Sequence, residues 1–407
     1  MIKYLFSVVL CSWMVLACQT GGNARESGFL YPAEWEPHES LWMGFRTHDE
    51  GLIHEPLLQK MIQVLARHVH VNLVVEAPAL FYEKDVYLSM LGVDQSNITV
   101  QILNPSDFWF RDSGPLFLVN SKGQMAIADF IFSNYQNELT VRSEKIERLS
   151  RIGQKIAKEK GLPVFSSDLI FEGGSFDVNG KGTVLLSNLV LERNPGRTRE
   201  DIETEIQSVL GQKKIIWLEN GLAQDPLGLK HITGNFWGRG TGGHVDEFAR
   251  FVNATTILLA WIPEKDRNKN PINRLNCERM HKNYKILLRS KDQDNKPFTI
   301  IKIPLPDLEV EDKKLSSGET VKFVPAASYL NFLITNGLVL VPGYWSPGKA
   351  HSVKQKDAII KSMMAEFFPE RQILQINPAS LNRYGGGMHC IYQQEPKVFE
   401  SCEQITN

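Results

Sequence analysis

The stretch Gly174–Asn188, GSFDVNGKGTVLLSN, decides how the rest of the chain is read. Phe176 and Val178 alternate with polar neighbours, Gly180-Lys181-Gly182 supplies a turn, and Thr183–Ser187 is a second strand-like run, so the segment reads as a hairpin. A helix-period stretch follows, opened by Thr198 with Glu200 and Asp201 near its start, where acidic side chains suit a helix amino terminus. It leads to a third apolar run, Lys214–Leu218 (KIIWL). Such a unit cannot cover its own apolar faces and calls for neighbours of the same kind.

Four further copies are legible. One runs through PLFLVN, the turn SKG, MAIADFIF, a charged helix over 142–160 and PVF. Another uses EFARFVN, TTILLAWI, a helix over 273–289 and FTIIKIPL. A third uses SYLNFLIT, an Asn336-Gly337 turn, LVLVPGY, a helix over 353–367 and ILQIN; Asn-Gly between alternating runs is the strongest short hairpin signal. The last is split across the chain ends: HCIYQQ pairs with SLWMGF, EPLLQKMIQVLARHV is the helix and VNLVV the final strand. In that helix Leu58, Met61, Ile62, Leu65 and Val69 share one face. The expectation is an α/β fold, a five-bladed pseudosymmetric α/β propeller closed by its two ends around a central site. It forms one domain over 29–407, with RNKNPINR and PDLEVEDKKLSSGE as surface connections.

The chain has 407 residues, 43% hydrophobic and 22% charged, with 45 basic and 46 acidic side chains. That composition fits a folded protein, and the near-neutral balance gives no basic stripe for nucleic acid. Residues 1–17 read as a signal peptide: Lys3 precedes an apolar run shorter than the roughly 20 residues that span a bilayer. Val15-Leu16-Ala17-Cys18 resembles a lipobox, which makes Cys18 the lipid-attachment residue, 18–28 a flexible tether, and the protein exported to the cell envelope or secreted. Outside the leader stand Cys277, Cys390 and Cys402, an odd number; either a reactive thiol is left over or Cys390 pairs with Cys402.

Polar outliers stand at the entrances to the modules: Asp112 in FWFRDSGP, Glu172 in FEGGSFD, His244 and Asp246 in GGHVDEF, Asn331 in SYLNF and Cys390 in GGMHC. Modules arranged about an axis bring these together. His244 and Asp246, two apart on a strand, would share a face, whereas His389 would point opposite to Cys390. A zinc reading lacks a third ligand of suitable type, and neither YGGGMH nor RGTGGH runs into a phosphate-loop helix. Read alone, each residue also has a structural role open to it: a turn cap for Asp112, a backbone partner for Asn331, a core thiol for Cys390.

The blocks YPAEWEPHESLWMGF, WFRDSGP, FEGGSFDVNGKGTVLLSN, GHVDEFARFVN, SYLNF and YGGGMHCIYQQEP resemble, in that order, those of the agmatine deiminase and bacterial peptidyl-arginine deiminase family, part of the guanidino-group modifying enzymes. The resemblance spans residues 30–396 and implies the five-bladed fold. It also implies a cysteine nucleophile at Cys390, a histidine acid/base at His244, guanidinium-binding carboxylates at Asp112 and Asp246, the family's glutamate at Glu172 and its active-site tryptophan at Trp109. No metal or organic cofactor is implied. The partner is a small guanidinium substrate or an arginine-containing peptide.

The chemistry agrees with those residue types. A guanidinium is planar, cationic and donor-only, so two carboxylates can grip its edges while a thiolate attacks its carbon. Gly386 and Gly387 would let the backbone pass close to a flat substrate. Two departures bear on the distal end of that substrate. The acidic position four before the histidine in agmatine deiminases is Gly240, with Arg239 beside it, and DFIFSNYQNE lacks the arginines that hold a carboxylate in bacterial peptidyl-arginine deiminases. A cysteine peptidase or amidase, and a non-catalytic surface binding protein, remain as readings from other classes.

Overall fold

The computed structural model describes residues 22–45, 54–75, 88–89, 95–103, 108–135 and 144–399. The leader, Cys18 and Cys402 lie outside the described residues. The fold is mixed α/β. Five of its six sheets repeat one plan, an antiparallel pair followed, after a crossover, by a strand parallel to the second. Leu116–Asn120 and Met125–Ile131 pair antiparallel, and Val164–Ile170 runs parallel to the latter. The same holds for Phe176–Val178, Thr183–Ser187 and Lys214–Leu218, and for Ala249–Asn253, Thr256–Trp261 and Thr299–Pro304. Leu333–Thr335, Leu338–Pro342 and Gln372–Ile376 make the fourth. In the fifth, Tyr392–Pro396 pairs with His38–Gly44, which His70–Val75 and then Ile98–Ile102 extend in parallel. The last described strand therefore lies beside His38–Gly44, from near the other end of the chain.

Local chemistry accounts for the crossovers. Thr198 caps the helix Arg199–Leu210 through a reciprocal capping box with Asp201. The helix Glu55–Leu65 buries Leu58, Met61, Ile62 and Leu65, each contributing about 1.5–3 kcal/mol by leaving water. Gly337 takes a φ of 64° in the tight turn between Thr335 and Leu338, a conformation that suits glycine. Among the described residues, no helix is long and apolar enough to cross a membrane.

Three expectations need correction. The charged helix over 142–160 is two helices, Glu144–Leu149 and Ile152–Lys160. RNKNPINR is no loose connection, because the helix Pro271–Arg289 begins inside it, with Asn270 as its side-chain cap and Pro at its first position. Within PDLEVEDKKLSSGE, Glu311–Lys314 is a strand; it pairs antiparallel with Thr320–Val324 in a sixth sheet that also holds Gly228–Thr233 and Phe236–Gly240.

Candidate active site

The candidate residues do not sit on strands. Asp112 lies in the helical turn Phe110–Ser113, Glu172 immediately precedes the 3-10 turn Gly173–Ser175, Asp246 lies in Val245–Glu247, and Cys390 in His389–Ile391. Each turn stands just before the first strand of a hairpin. His244-Val245-Asp246 is thus not the extended segment expected, and face alternation does not apply to it or to His389-Cys390. A helical turn aims side chains along the backbone just ahead of the sheet, and all of Asp112, Glu172, His244, Asp246, Asn331 and Cys390 are buried.

Around the sulfur, Asn331 Nδ2 is 3.3 Å from Cys390 Sγ, the Gly387 N–H is 3.4 Å away, and Asp246 Oδ2 is 3.8 Å away. The Asn331 carbonyl oxygen accepts the His389 N–H at 2.7 Å. Asp246, Glu247 and Cys390 place an oxygen, an oxygen and the sulfur within 4.8 Å of one another. Burial first, then Asp246, Glu247 and Asp112, push the Cys390 thiol well above its ordinary range. Among the described residues Cys390 and Cys277 are free thiols.

Facing this group, Asp112 accepts the Tyr135 hydroxyl at 2.6 Å and the Gly174 N–H at 2.9 Å. Burial raises its carboxyl to about 7 despite these bonds, with Asp246 adding to the rise. His244 Nδ1 stands 3.9 Å from Asp112 Oδ1, and its Nε2 stands 3.9 Å from Glu172 Oε2. Neither ring nitrogen has a hydrogen-bond partner among the described residues, and burial lowers the ring's basicity against the pull of Asp246 and Glu172. Glu172 is paired at 3.3 Å with Arg193, a guanidinium that is itself buried.

The glycines have a more specific reason than substrate approach. A Cβ on Gly386 would lie 2.5 Å from Trp109 Cζ3, one on Gly387 would strike the Asn331 amide, and one on Gly174 would strike the His244 ring. Trp109, Asn331 and His244 occupy the room that these glycines leave.

Four residues at the site were not assigned to it from the sequence: His389, which was expected to point away, and Glu34, Glu247 and Arg193. His389 Nδ1 lies 2.7 Å from Asp246 Oδ2, and its Nε2 lies 2.9 Å from Glu34 Oε2. Glu247 is buried with both carboxyl oxygens unpartnered among the described residues; burial, then Asp246 and Asp225, push its carboxyl well up. Arg193 carries the cation beside Glu172. The available signals were Glu34 inside the otherwise apolar YPAEW and Glu247 following Asp246, but neither says what it meets.

A model of the Porphyromonas-type peptidyl-arginine deiminase family matches residues 30–396. The chain belongs to that family. The agmatine deiminase of Pseudomonas aeruginosa (strain LESB58) is 28% identical over 392 residues, covering 91% of this chain and 96% of that protein. The agmatine deiminase of Pseudomonas fluorescens (strain SBW25) is 30% identical over 392 residues, with the same 91% and 96% covered. The agmatine deiminase of Enterococcus faecalis, in a structure described as catalysing its reaction, superposes with a TM-score of 0.75 at 26% identity, covering 93% of this chain and 98% of that one.

In this deiminase-family chain the loop before His244 is shaped by Asp225. Its Oδ1 accepts the Thr241 N–H at 2.5 Å and its Oδ2 the Gly243 N–H at 3.0 Å, with the Thr241 hydroxyl bonded to both. Asp225 Oδ1 fills the place a Cβ on Gly240 would take, so position 240 has no room for a side chain.

Proposed function

We propose that this chain hydrolyses guanidinium compounds, releasing ammonia and leaving a ureido product, and that agmatine, giving N-carbamoylputrescine, is its foremost substrate. The observation that carries the reading is a buried thiol set among carboxylates, with Asp246 Oδ1 and both nitrogens of His244 unpartnered among the described residues. Family membership and agmatine deiminases matched over nine-tenths of the chain support it.

A guanidinium gripped by Asp112 and Asp246 restores the charge balance of a site rich in carboxyls, and its positive charge favours the thiolate of Cys390. His244, neutral in the free protein, takes up the proton that the thiol loses. Sulfur adds to the central carbon, His244 gives its proton to one nitrogen, the C–N bond breaks and ammonia leaves. A thiouronium-type adduct remains on Cys390. Water, deprotonated by His244, adds to the same carbon; the C–S bond breaks and the ureido product departs with the thiol restored. The five like sheets suit blades about a common axis through this site. The leader supports export with lipid on Cys18.

A second reading, deimination of arginine in peptides, is favoured by the filled space at Gly240. There Asp225 is committed to Thr241 and Gly243, which leaves no acid on that loop position for a free amine. Incubating the protein with agmatine, free arginine and peptides bearing internal or terminal arginine, and assaying ureido product and ammonia, separates the two. Cys390→Ala and Asp246→Asn are expected to be silent. Ester or peptide cleavage with every guanidine left intact would replace the deiminase reading with that of a cysteine hydrolase.

A further inference from the structure

Asp246 has two demands on it: to stay ionised beside a buried thiol and to offer an oxygen to a cation. Its two oxygens are unequal. Oδ2 lies 2.7 Å from His389 Nδ1 and 3.8 Å from Cys390 Sγ, whereas Oδ1 is buried with no partner among the described residues. Across the same imidazole, Nε2 lies 2.9 Å from Glu34 Oε2. Glu34 also accepts Arg250, the Tyr392 hydroxyl and, at 2.7 Å, the N–H of Ile334.

A neutral imidazole has one N–H and can donate to only one of two carboxylates; its other nitrogen would then face an oxygen lone pair at contact distance. Two protons must therefore lie along the chain Glu34–His389–Asp246. Burial alone would raise both carboxyls. At Glu34, Arg250 first and then His389 and Arg111 outweigh burial and hold the group well below the ordinary range. At Asp246, the His389 hydrogen bond and charge, helped by His244 and Arg250, also outweigh burial and lower the carboxyl from its ordinary value. Each of these acids thus faces one ring nitrogen of His389 at hydrogen-bond distance. The backbone of the residue is fixed too, since its N–H is held by Asn331 Oδ1 at 2.7 Å.

We propose that His389 is a positioning residue for deimination: anchored by Glu34, it occupies Asp246 Oδ2 and so leaves Oδ1 turned to the guanidinium. The inference rests on the deiminase reading above, and it makes Glu34 part of the machinery although 355 positions separate it from His389.

Two isosteres separate the two halves of the bridge. In His389→Asn the side-chain amide stands near the Nδ1 position and still donates to Asp246; in His389→Gln it reaches the Nε2 position and keeps only Glu34. Both are made in a Cys390→Ala background, and binding of agmatine and, in parallel, N-acetyl-arginine amide is measured by calorimetry beside the melting temperature. His389→Gln is expected to weaken binding of the better ligand roughly tenfold or more, and His389→Asn by no more than about threefold, as for loss or retention of a charge-assisted hydrogen bond. A merely structural role would weaken both alike, in step with melting temperature, and that result overturns the proposal. So does parent-like binding by His389→Gln. If His389→Gln does not fold, His389→Asn decides: about threefold or less supports the proposal, and more than tenfold with an unchanged melting temperature overturns it. A parent that binds neither ligand, together with a wild type that releases no ammonia from any guanidine, removes the deiminase reading and this inference with it. An active wild type with indifferent variants removes the inference alone.

Discussion

Asn331 Nδ2 donates toward Cys390 Sγ across 3.3 Å. The same side chain accepts the His389 N–H through its carbonyl, so one amide fixes both the sulfur and the turn that carries it. A hydrogen bond to a charged group is worth about 1.5–3 kcal/mol. Asn331→Ala should therefore lower kcat by roughly tenfold to a hundredfold, with a smaller effect on KM, in steady-state ammonia release. Asn331→Asp, which places another carboxylate at the thiolate, should be worse. Parent-like kcat in Asn331→Ala would show that the donor is not what matters.

The three glycines before the nucleophile should not be equivalent. Gly385 has a φ of 93°, and a Cβ there would lie 2.8 Å from Gly240 Cα, a backbone atom that cannot swing away. Gly386 would meet the ring of Trp109 and Gly387 the amide of Asn331, which are side chains. Gly385→Ala should destabilise most, by more than the about 1–3 kcal/mol of ordinary overpacking, because strain adds to the clash. Gly387→Ala should keep more stability but lose activity, since it displaces the donor to sulfur. Denaturant unfolding of the three alanine variants, beside their turnover, checks the order.

Arg193 and Glu172 form a pair with both side chains buried. Removing one partner of such a pair leaves an uncompensated charge in the interior and costs about 3–5 kcal/mol. Arg193→Leu should show that loss in chemical denaturation, and the double variant Arg193→Leu with Glu172→Leu should recover part of it. Loss that simply adds in the double variant would mean that the two do not act as a pair.

The hairpin Phe176–Ser187, the Thr198 cap and the Asn336-Gly337 turn were legible because each is written in adjacent residues whose chemistry is local. The sheet containing Glu311–Lys314 was not, since EDKK lacks the apolar alternation that marks a half-buried strand. The site was legible as a set of polar outliers at hairpin entrances, yet its conformation was not. Three-residue helical turns are too short to show a period, so His244 and Asp246 read as strand. The contact between Glu34 and His389 had no signal at all: the first long strand, His38–Gly44, pairs with the last, Tyr392–Pro396, and that pairing brings the two distant chain segments together.

Asp112 should give guanidinium binding an acid limb. Burial raises its carboxyl to about 7, far above the ordinary carboxylate range, so in the free protein it is partly protonated near neutrality and must ionise to hold a cation. Binding of agmatine to the Cys390→Ala protein should weaken by about tenfold per pH unit below about 7 and level off above it, and Asp112→Asn should flatten that limb. Stability runs the other way. A carboxyl raised on folding binds more protons in the native state, so the free protein loses stability as pH rises from about 4 to about 7. Asp225, also raised to about 7, shares this window, which is why the comparison with Asp112→Asn is needed to isolate one group.

The resting thiol should discriminate reagents by charge. Burial, then Asp246, Glu247 and Asp112, hold Cys390 well above the ordinary thiol range, so a neutral haloacetamide should alkylate it slowly at neutral pH. A cationic haloacetamidine of similar size meets the same carboxylates as partners, brings positive charge to the sulfur, and should react much faster; agmatine should protect against it. Asp246→Asn makes the two reagents diverge. It removes the nearest negative charge from the thiol, which should speed the neutral reagent, and it removes one grip on the cation, which should slow the charged one. Alkylation rates at Cys390, followed by mass spectrometry, read both. Movement of both rates in the same direction would mean that Asp246 governs access to the sulfur and not the electrostatics of the site.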